Sequence, residues 1–138
     1  MMQKIISRLV LPMLLTCSSF SFAAVCNKTI SNTALGQLTV PAGATCTLNM
    51  AAVEGSINVQ QGENLILNNT AVSGAIQASA ARSLKLVNSS IEGDVNAAQG
   101  SAQISLDKAM ISGNLYCSSS KLRSSMSSIE GKVVGKCQ

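Results

Sequence analysis

A short phrase of apolar and polar residues recurs along this chain about every 19 residues. Each copy has an aliphatic residue two positions before a glycine and another aliphatic residue two positions after that glycine. The first aliphatic residues are Val53, Val72, Ile91, Ile111 and Ile129, and the glycines are Gly55, Gly74, Gly93, Gly113 and Gly131. Self-similarity at a fixed period is the signature of a repeat architecture.

Within each copy, apolar residues occupy every second position, as in Leu65 and Leu67 and again in Ile76 and Ala78. A period of two is typical of β-strands, and no segment shows the 3.6-residue stripe of a helix. Corners rich in Gly, Asn, Ser and Ala separate these strands. The pattern predicts an all-β fold, a single-stranded parallel β-helix (β-solenoid) of about six 18–20-residue coils. The crossover rule predicts right-handed winding.

The repeated glycine is expected at a bend between two strands of one coil. There, either a positive φ or the absence of a Cβ atom would let the chain turn inward tightly. The alternative interpretation is that glycine is only a small filler at this position. The recurrence of five glycines in the same register favours the structural bend.

The first 23 residues have the features of an export signal. Lys4 and Arg8 precede an apolar stretch, and Ser21 and Ala23 supply small residues before a cleavage site. The sequence therefore predicts a signal peptide over 1–23, with cleavage after Ala23 or the next alanine, and a β-solenoid domain over 24–138. This favours a periplasmic or secreted bacterial protein without a transmembrane segment. In a second interpretation, Cys17 is the acylated residue of a lipoprotein.

The composition of residues 24–138 limits both the core and the partners. Eight lysines and arginines against six acidic residues leave a formal charge of +2, which is too small and scattered to favour nucleic acid. The chain has no Trp and no His, and Tyr116 is the only aromatic residue outside the predicted signal. The interior must therefore be built from Leu, Ile, Val and Ala, which suits a thin, stacked core.

Four cysteines remain after the predicted signal, at Cys26, Cys46, Cys117 and Cys137. An even number of cysteines in an exported chain predicts disulfides. The first two are separated by 20 residues, and so are the last two, so each pair would lie on adjacent coils about 5 Å apart. We therefore predict bonds that close the first and last coils. The alternatives are pairings that span several coils and a metal site.

The sequence contains no evident catalytic constellation. The absence of His removes the commonest general base and any Ser-His-Asp triad. Glu54, Glu92 and Glu130 follow the repeated aliphatic residue on alternate coils, about 9.6 Å apart, just beyond the carboxylate separation of inverting glycosidases. We interpret them as a solvated face. Asn49 and Asn68 share one position on successive coils and suit an internal amide ladder. The sequence predicts no catalytic residue, cofactor or metal.

The segments Pro41–Cys46, Val53–Val59 and Asn64–Gly74 together resemble small exported bacterial β-helix proteins of unknown function. Those proteins carry tandem V-x-G-x-V-x-V phrases after a Pro-Ala-Gly-Ala-x-Cys segment. The repeat is also similar to that of bactofilins, cytoskeletal polymers made of short β-helices. The chain departs from bactofilins in its export signal and its cysteines. The resemblance implies a β-helix fold and transfers no catalytic residue.

Three functional hypotheses follow from these observations. The first is a non-enzymatic structural or surface-interaction protein, a rigid disulfide-stapled rod for adhesion or end-to-end self-assembly in the cell envelope. The second is a module that binds an envelope glycan or protein. The third is an enzyme such as a polysaccharide lyase, which rests on fold analogy alone and is disfavoured because the coils have no insertions to form a cleft.

Overall fold

The computed structural model describes residues 24–78, 80–98 and 103–137. The predicted export signal over 1–23, including Cys17, lies outside these residues. The described part of the chain contains only strands, turns and bends, and none of it forms a helix. It therefore has no helix with the length and apolar character needed to cross a membrane.

The described residues form short strands connected by tight corners. In chain order, the strands are β1 (Ala24–Val25), β2 (Thr29–Ser31), β3 (Ala34–Leu35), β4 (Leu38–Val40), β5 (Thr45–Asn49), β6 (Ala52–Val53), β7 (Ile57–Val59), β8 (Asn64–Asn68), β9 (Ala71–Val72), β10 (Ile76–Gln77), β11 (Ser83–Val87), β12 (Ser90–Ile91), β13 (Val95–Ala97), β14 (Gln103–Asp107), β15 (Met110–Ile111), β16 (Leu115–Ser125), β17 (Ser128–Ile129) and β18 (Val133–Cys137).

These strands stack into three parallel faces, so the predicted all-β parallel solenoid is confirmed. The first face has the order β1-β4-β7-β10-β13-β16-β18 and the second has the order β2-β5-β8-β11-β14-β16. The third face is β3-β6-β9-β12-β15-β17. Strand β16 belongs to two faces because it continues around the corner from the first to the second. Each coil therefore contributes one strand to each face.

The core consists of vertical columns of aliphatic side chains, as the repeat predicts. On the first face, the paired residues of one column are Leu38, Ile57, Ile76, Val95, Leu115 and Val133. On the third face, the repeated aliphatic residues pair from Val53 through to Ile129. Most of these side chains are fully buried. Because equivalent aliphatic side chains of successive parallel strands pack against one another, they fill the interior of the described coils without any aromatic ring.

The corner between the second and third faces is made by residues in the left-handed conformation. These residues have φ between 48° and 54°, and they are Asn32, Met50, Asn69, Asn88, Lys108 and Met126. Asn accepts this conformation more readily than other residues that carry a Cβ atom. The next residue often secures the corner through its hydroxyl. Thr70 Oγ1 donates to the carbonyl oxygen of Asn68 at 2.9 Å, and Ser89 Oγ donates to that of Val87 at 2.8 Å.

The repeated glycines lie in a column at the corner between the third and first faces. None of the five has a positive φ; among the glycines that the structure describes, those that do are Gly43, Gly62 and Gly135. A Cβ atom on Gly93 would lie 2.7 Å from the carbonyl oxygen of Gly74, one coil away. Of the two reasons considered for these glycines, the structure therefore supports the absence of a Cβ atom.

Amide side chains form short ladders along the outside of the coils. Asn68 Nδ2 donates to Asn49 Oδ1 at 2.8 Å, so the amide ladder predicted at this position is present. It lies on the outside and not in the interior as predicted, because the leucine before each of these asparagines takes the inward position of its strand and leaves both amides half-buried. Asn88 Nδ2 donates in the same way to Asn69 Oδ1. Stacked amides of this kind repeat the spacing of the strands and reinforce their register.

The C-terminal coil leaves part of the core uncovered. Val133 is 49% exposed, although the other members of its column, from Leu38 to Leu115, are 0% exposed. Leu122 and Ile129 of the same coil are half-buried. No further coil of the described chain covers them, so this end presents both apolar side chains and the free edge of β18.

Candidate functional site

Two disulfides close the ends of the solenoid, with the pairing that the spacing predicts. Cys26 is bonded to Cys46 with a Cα–Cα distance of 5.3 Å, and Cys117 is bonded to Cys137 at 5.4 Å. These distances are slightly longer than the spacing of about 4.8 Å between adjacent coils and fit the usual range for a disulfide. The two bonds are compatible with an oxidising location outside the cytoplasm.

The two disulfides differ in their surroundings. Cys26 and Cys46 are both 0% exposed, within the core columns of the first coils. Cys117 is also buried, but Cys137 is half-buried at the end of β18. The N-terminal bond is therefore enclosed by protein, whereas the C-terminal bond lies at the open end.

The three glutamates that recur on alternate coils point outward beside the third face. Glu54, Glu92 and Glu130 are exposed, and Ser73 and Ser112 occupy the same position on the coils between them. The pairing of the neighbouring strands separates successive glutamates by two strand spacings, roughly 9–10 Å. This placement is the solvated face that we expected from the sequence.

Glu63 differs from these residues because it is only 4% exposed. One oxygen of its carboxylate accepts the backbone N–H of Gly43 on the preceding coil. Gly43 and Gly62 both have φ of 82° at this corner. Glu63 therefore satisfies a backbone donor and connects two tight corners, which is a structural role.

The second face carries a shallow basic depression of about 360 Å³ near the C-terminal end. Its lining residues come from the three successive strands β11, β14 and β16, and they are Ser83, Lys85, Gln103, Ile104, Ser105, Lys121 and Arg123. Lys85, Ser105 and Arg123 are stacked in one outward row, because Ser105 pairs with both of the others. Ser83, Gln103 and Lys121 form the adjacent row.

The charge of this basic depression is not balanced within it. Lys85, Lys121 and Arg123 are all exposed, and none of the lining residues is acidic. The acidic residue of the same three strands is Asp107, two positions beyond Ser105 on β14 and paired with Val87 and Ser125. Three cations without an acidic partner create a local positive potential that attracts anions.

The net charge of +2 gave no sign of this cluster, because it does not show which charged residues lie one above another on successive coils. Lys85 and Arg123 are 38 residues apart, which is two coils of this repeat. The same arithmetic that aligned the cysteines would have aligned them on either side of Ser105. The missing information was that these positions lie on the same outward row.

The described residues contain no group of three or more His, Cys, Asp or Glu side chains that could hold a metal ion. Comparison of the whole chain with models of protein families, with curated proteins and with solved structures found no match. The class of protein is therefore defined by the fold, a disulfide-closed parallel β-solenoid. Its main outward features are the row of Glu54, Glu92 and Glu130, the basic depression and the open C-terminal coil.

Proposed function

We propose that this protein is a non-enzymatic, exported structural or surface-interaction module that acts as a rigid rod. The observation that carries the proposal is the uninterrupted stack of coils. Its aliphatic columns fill the interior, and a disulfide joins each end coil to its neighbour. About six coils at 4.8 Å give a rod roughly 29 Å long. Such a body presents flat faces of constant geometry, which suits adhesion or assembly.

The proposal places the protein in the periplasm or outside a bacterial cell. The support is the signal-like sequence over 1–23 together with the two disulfides. The resemblance of the repeat to small exported bacterial β-helix proteins agrees with this location. Acylation at Cys17 would instead attach the same rod to a membrane surface, and mass spectrometry of the native N-terminus separates these two forms.

End-to-end association through the C-terminal coil is part of the proposal. The free edge of β18 presents backbone N–H and C=O groups that can pair with a strand edge of another copy, and the exposed Val133 can pack against that copy. The charges act against association. Lys132 and Lys136 are positive charges on this coil, and the opposite end has no acidic residue between Ala24 and Glu54 that could attract them. Association should therefore increase when salt screens the like charges.

Light scattering and small-angle X-ray scattering of the oxidised protein test this proposal. We expect a rigid particle whose length increases with protein concentration and with salt. A particle of constant mass under all conditions would remove the polymer version and leave the single rod. A flexible coil in the oxidised state would overturn the structural role altogether.

A module that binds an envelope glycan or protein is the second candidate function. The observation in its favour is the basic depression, because an unbalanced cationic surface suits a ligand better than an inert spacer. Polysaccharide cleavage is the competing enzymatic hypothesis. Incubation with an acidic polysaccharide, followed by measurement of new chain ends, distinguishes binding from cleavage, and we expect no new ends.

A further inference from the structure

We infer that the basic depression on the second face binds the carboxylates of an extended acidic polysaccharide laid along the rod axis. This inference rests on the binding role proposed above and names its ligand class. The cations belong to the first and third of three successive coils, Lys85 on β11 and Lys121 and Arg123 on β16, so they follow the stacking direction and not a single strand. A ligand that contacts all of them must therefore extend across the strands.

The spacing of the cations suits repeated negative charges. Lys85 and Arg123 occupy the same row with Ser105 between them, so their backbones are two strand spacings apart, roughly 9–10 Å. Lys121 lies on the same strand as Arg123, in the adjacent row. The Arg fork can hold a carboxylate through two parallel hydrogen bonds, and each Lys supplies a compact charge.

The neutral residues of the basic depression suit the hydroxyl groups of sugars. Ser83, Gln103 and Ser105 place two hydroxyls and one amide between the cations. Hydroxyl and amide groups both donate and accept hydrogen bonds. Recognition here would depend on charge and hydrogen bonding, because Tyr116 is on the first face and no aromatic ring lines the depression for stacking on a sugar.

The same absence of rings disfavours a single-stranded nucleic acid, whose binding proteins combine a cationic groove with aromatic platforms for the bases. An anionic membrane surface is disfavoured as well. Binding to a bilayer interface is stronger when apolar side chains enter the interface beside the cations. The apolar lining residue, Ile104, is 1% exposed.

The N-terminal half of the second face is a natural comparison. On strands β5 and β8, the two corresponding rows carry Thr45 and Asn64 in one and Thr47 and Ile66 in the other. These positions are uncharged, so the cations are concentrated at the C-terminal end of this face. The binding surface is therefore a defined part of the rod and not a property of the whole face.

Binding of the oxidised protein to polygalacturonate, measured by isothermal titration calorimetry, tests the inference. The fully methyl-esterified polymer is the uncharged control. The double variant K85Q/R123Q removes two cations from the basic depression, and K28Q/K108Q removes two exposed lysines outside it, so both variants have the same net charge. Oligothymidylate and phosphatidylglycerol vesicles are the competing anionic partners.

We expect the charged polymer to bind in preference to the esterified one, and K85Q/R123Q to bind about tenfold more weakly, as for the loss of two exposed charge contacts. The slope of log K against log salt concentration should become shallower by roughly 1.4 in this variant, about 0.7 for each of the two charges removed. K28Q/K108Q should bind like the wild type. Equal losses in the two variants, or tighter binding of oligothymidylate or vesicles, would overturn the inference.

Failure of this inference and failure of the rod proposal give different results. A rigid, monodisperse wild-type particle that does not bind polygalacturonate refutes the glycan assignment and leaves the structural role intact. New chain ends in the polymer would instead refute the non-enzymatic role. Equal melting temperatures of the two double variants show that a difference in binding does not arise from unfolding.

Discussion

At the scale of single residues, this fold depends on glycines at positions where the adjacent coil leaves no room for a Cβ atom. The glycines of the repeat lie where one coil approaches the next, and Gly93 N donates to the carbonyl oxygen of Gly74 at 3.2 Å. The left-handed corners impose a different restriction, which acts on φ and not on space. Two kinds of position therefore require small or permissive residues, and substitution can separate them.

Replacement of Gly93 by Ala should lower the free energy of unfolding by about 2–3 kcal/mol, because the new methyl group would overpack the contact with Gly74. Gly36→Ala is the matched control, since no atom of the residues 24–78, 80–98 and 103–137 lies within 4 Å of its Cβ position, and its effect should be below about 0.5 kcal/mol. Gly62→Ala has open space but φ of 82°, so we expect about 1 kcal/mol. Chemical denaturation of the oxidised proteins measures all three. Equal effects at Gly93 and Gly36 would contradict the steric explanation.

Two buried serines should respond to the same substitution in opposite directions. Ser89 Oγ donates to the carbonyl oxygens of Val87 at 2.8 Å and Leu67 at 3.2 Å, so Ser89→Ala should destabilise the protein by about 1–2 kcal/mol. Ser120 is 0% exposed, and none of the residues that the structure describes forms a hydrogen bond with its hydroxyl. Ser120→Ala should therefore leave stability unchanged or raise it by up to about 1 kcal/mol. Thermal and chemical denaturation give the sign, and a marked loss with Ser120→Ala would refute this account.

At the scale of elements, each coil depends on its neighbours because its strands are very short. Strands of the third face, such as β9, have two residues, and they form hydrogen bonds only to the coils above and below. A short parallel strand of this kind has no stability by itself. The disulfides compensate at the ends, where one of the two neighbours is absent.

The two disulfides should differ in their rate of reduction in the folded protein. A thiol reductant must reach a sulfur atom, and both cysteines of the Cys26–Cys46 bond are 0% exposed. The half-buried Cys137 makes the other bond accessible. Mild reduction followed by alkylation and peptide mapping should therefore label Cys117 and Cys137 first. Early labelling of Cys26 would show that the N-terminal coil opens more readily than its burial implies.

At the scale of the whole molecule, stability should depend on position along the rod. Repeat proteins gain their stability from the interfaces between neighbouring units, so a terminal unit with one interface opens first. The C-terminal coil has the additional weakness of an exposed Val133 and an interior column that ends in Ser124. The middle coils have a complete neighbour on both sides.

Hydrogen exchange should show this gradient directly. Backbone amides of β8 and β11 in the middle coils should exchange most slowly, and those of β17 and β18 should exchange fastest. Selective reduction of Cys117–Cys137 should accelerate exchange in the last coil and leave β8 and β11 unchanged. Uniform exchange along the rod would indicate that all coils unfold as one cooperative unit.

The sequence alone was enough to establish the period, and with it the vertical neighbours. In a stack of parallel coils in register, residues about 19 positions apart must lie one above another. This explains why the aliphatic columns, the two disulfides, the outward glutamates and the pairing of Asn49 with Asn68 could all be predicted from spacing. The period did not give the side of the Asn49–Asn68 ladder, which was expected inside and lies outside.

Only the tertiary structure decided how the chain closes around its corners and what each face presents. It showed that the repeated glycines are needed because a Cβ atom would clash with the backbone of the adjacent coil. It also showed that Asn32, Met50 and their equivalents adopt the left-handed conformation. It brought Lys85 on β11 close to Lys121 and Arg123 on β16, on the same face with one strand between them. The physical reason is that a period determines which residues are stacked, whereas the backbone path around each corner determines how closely they approach and which way they point.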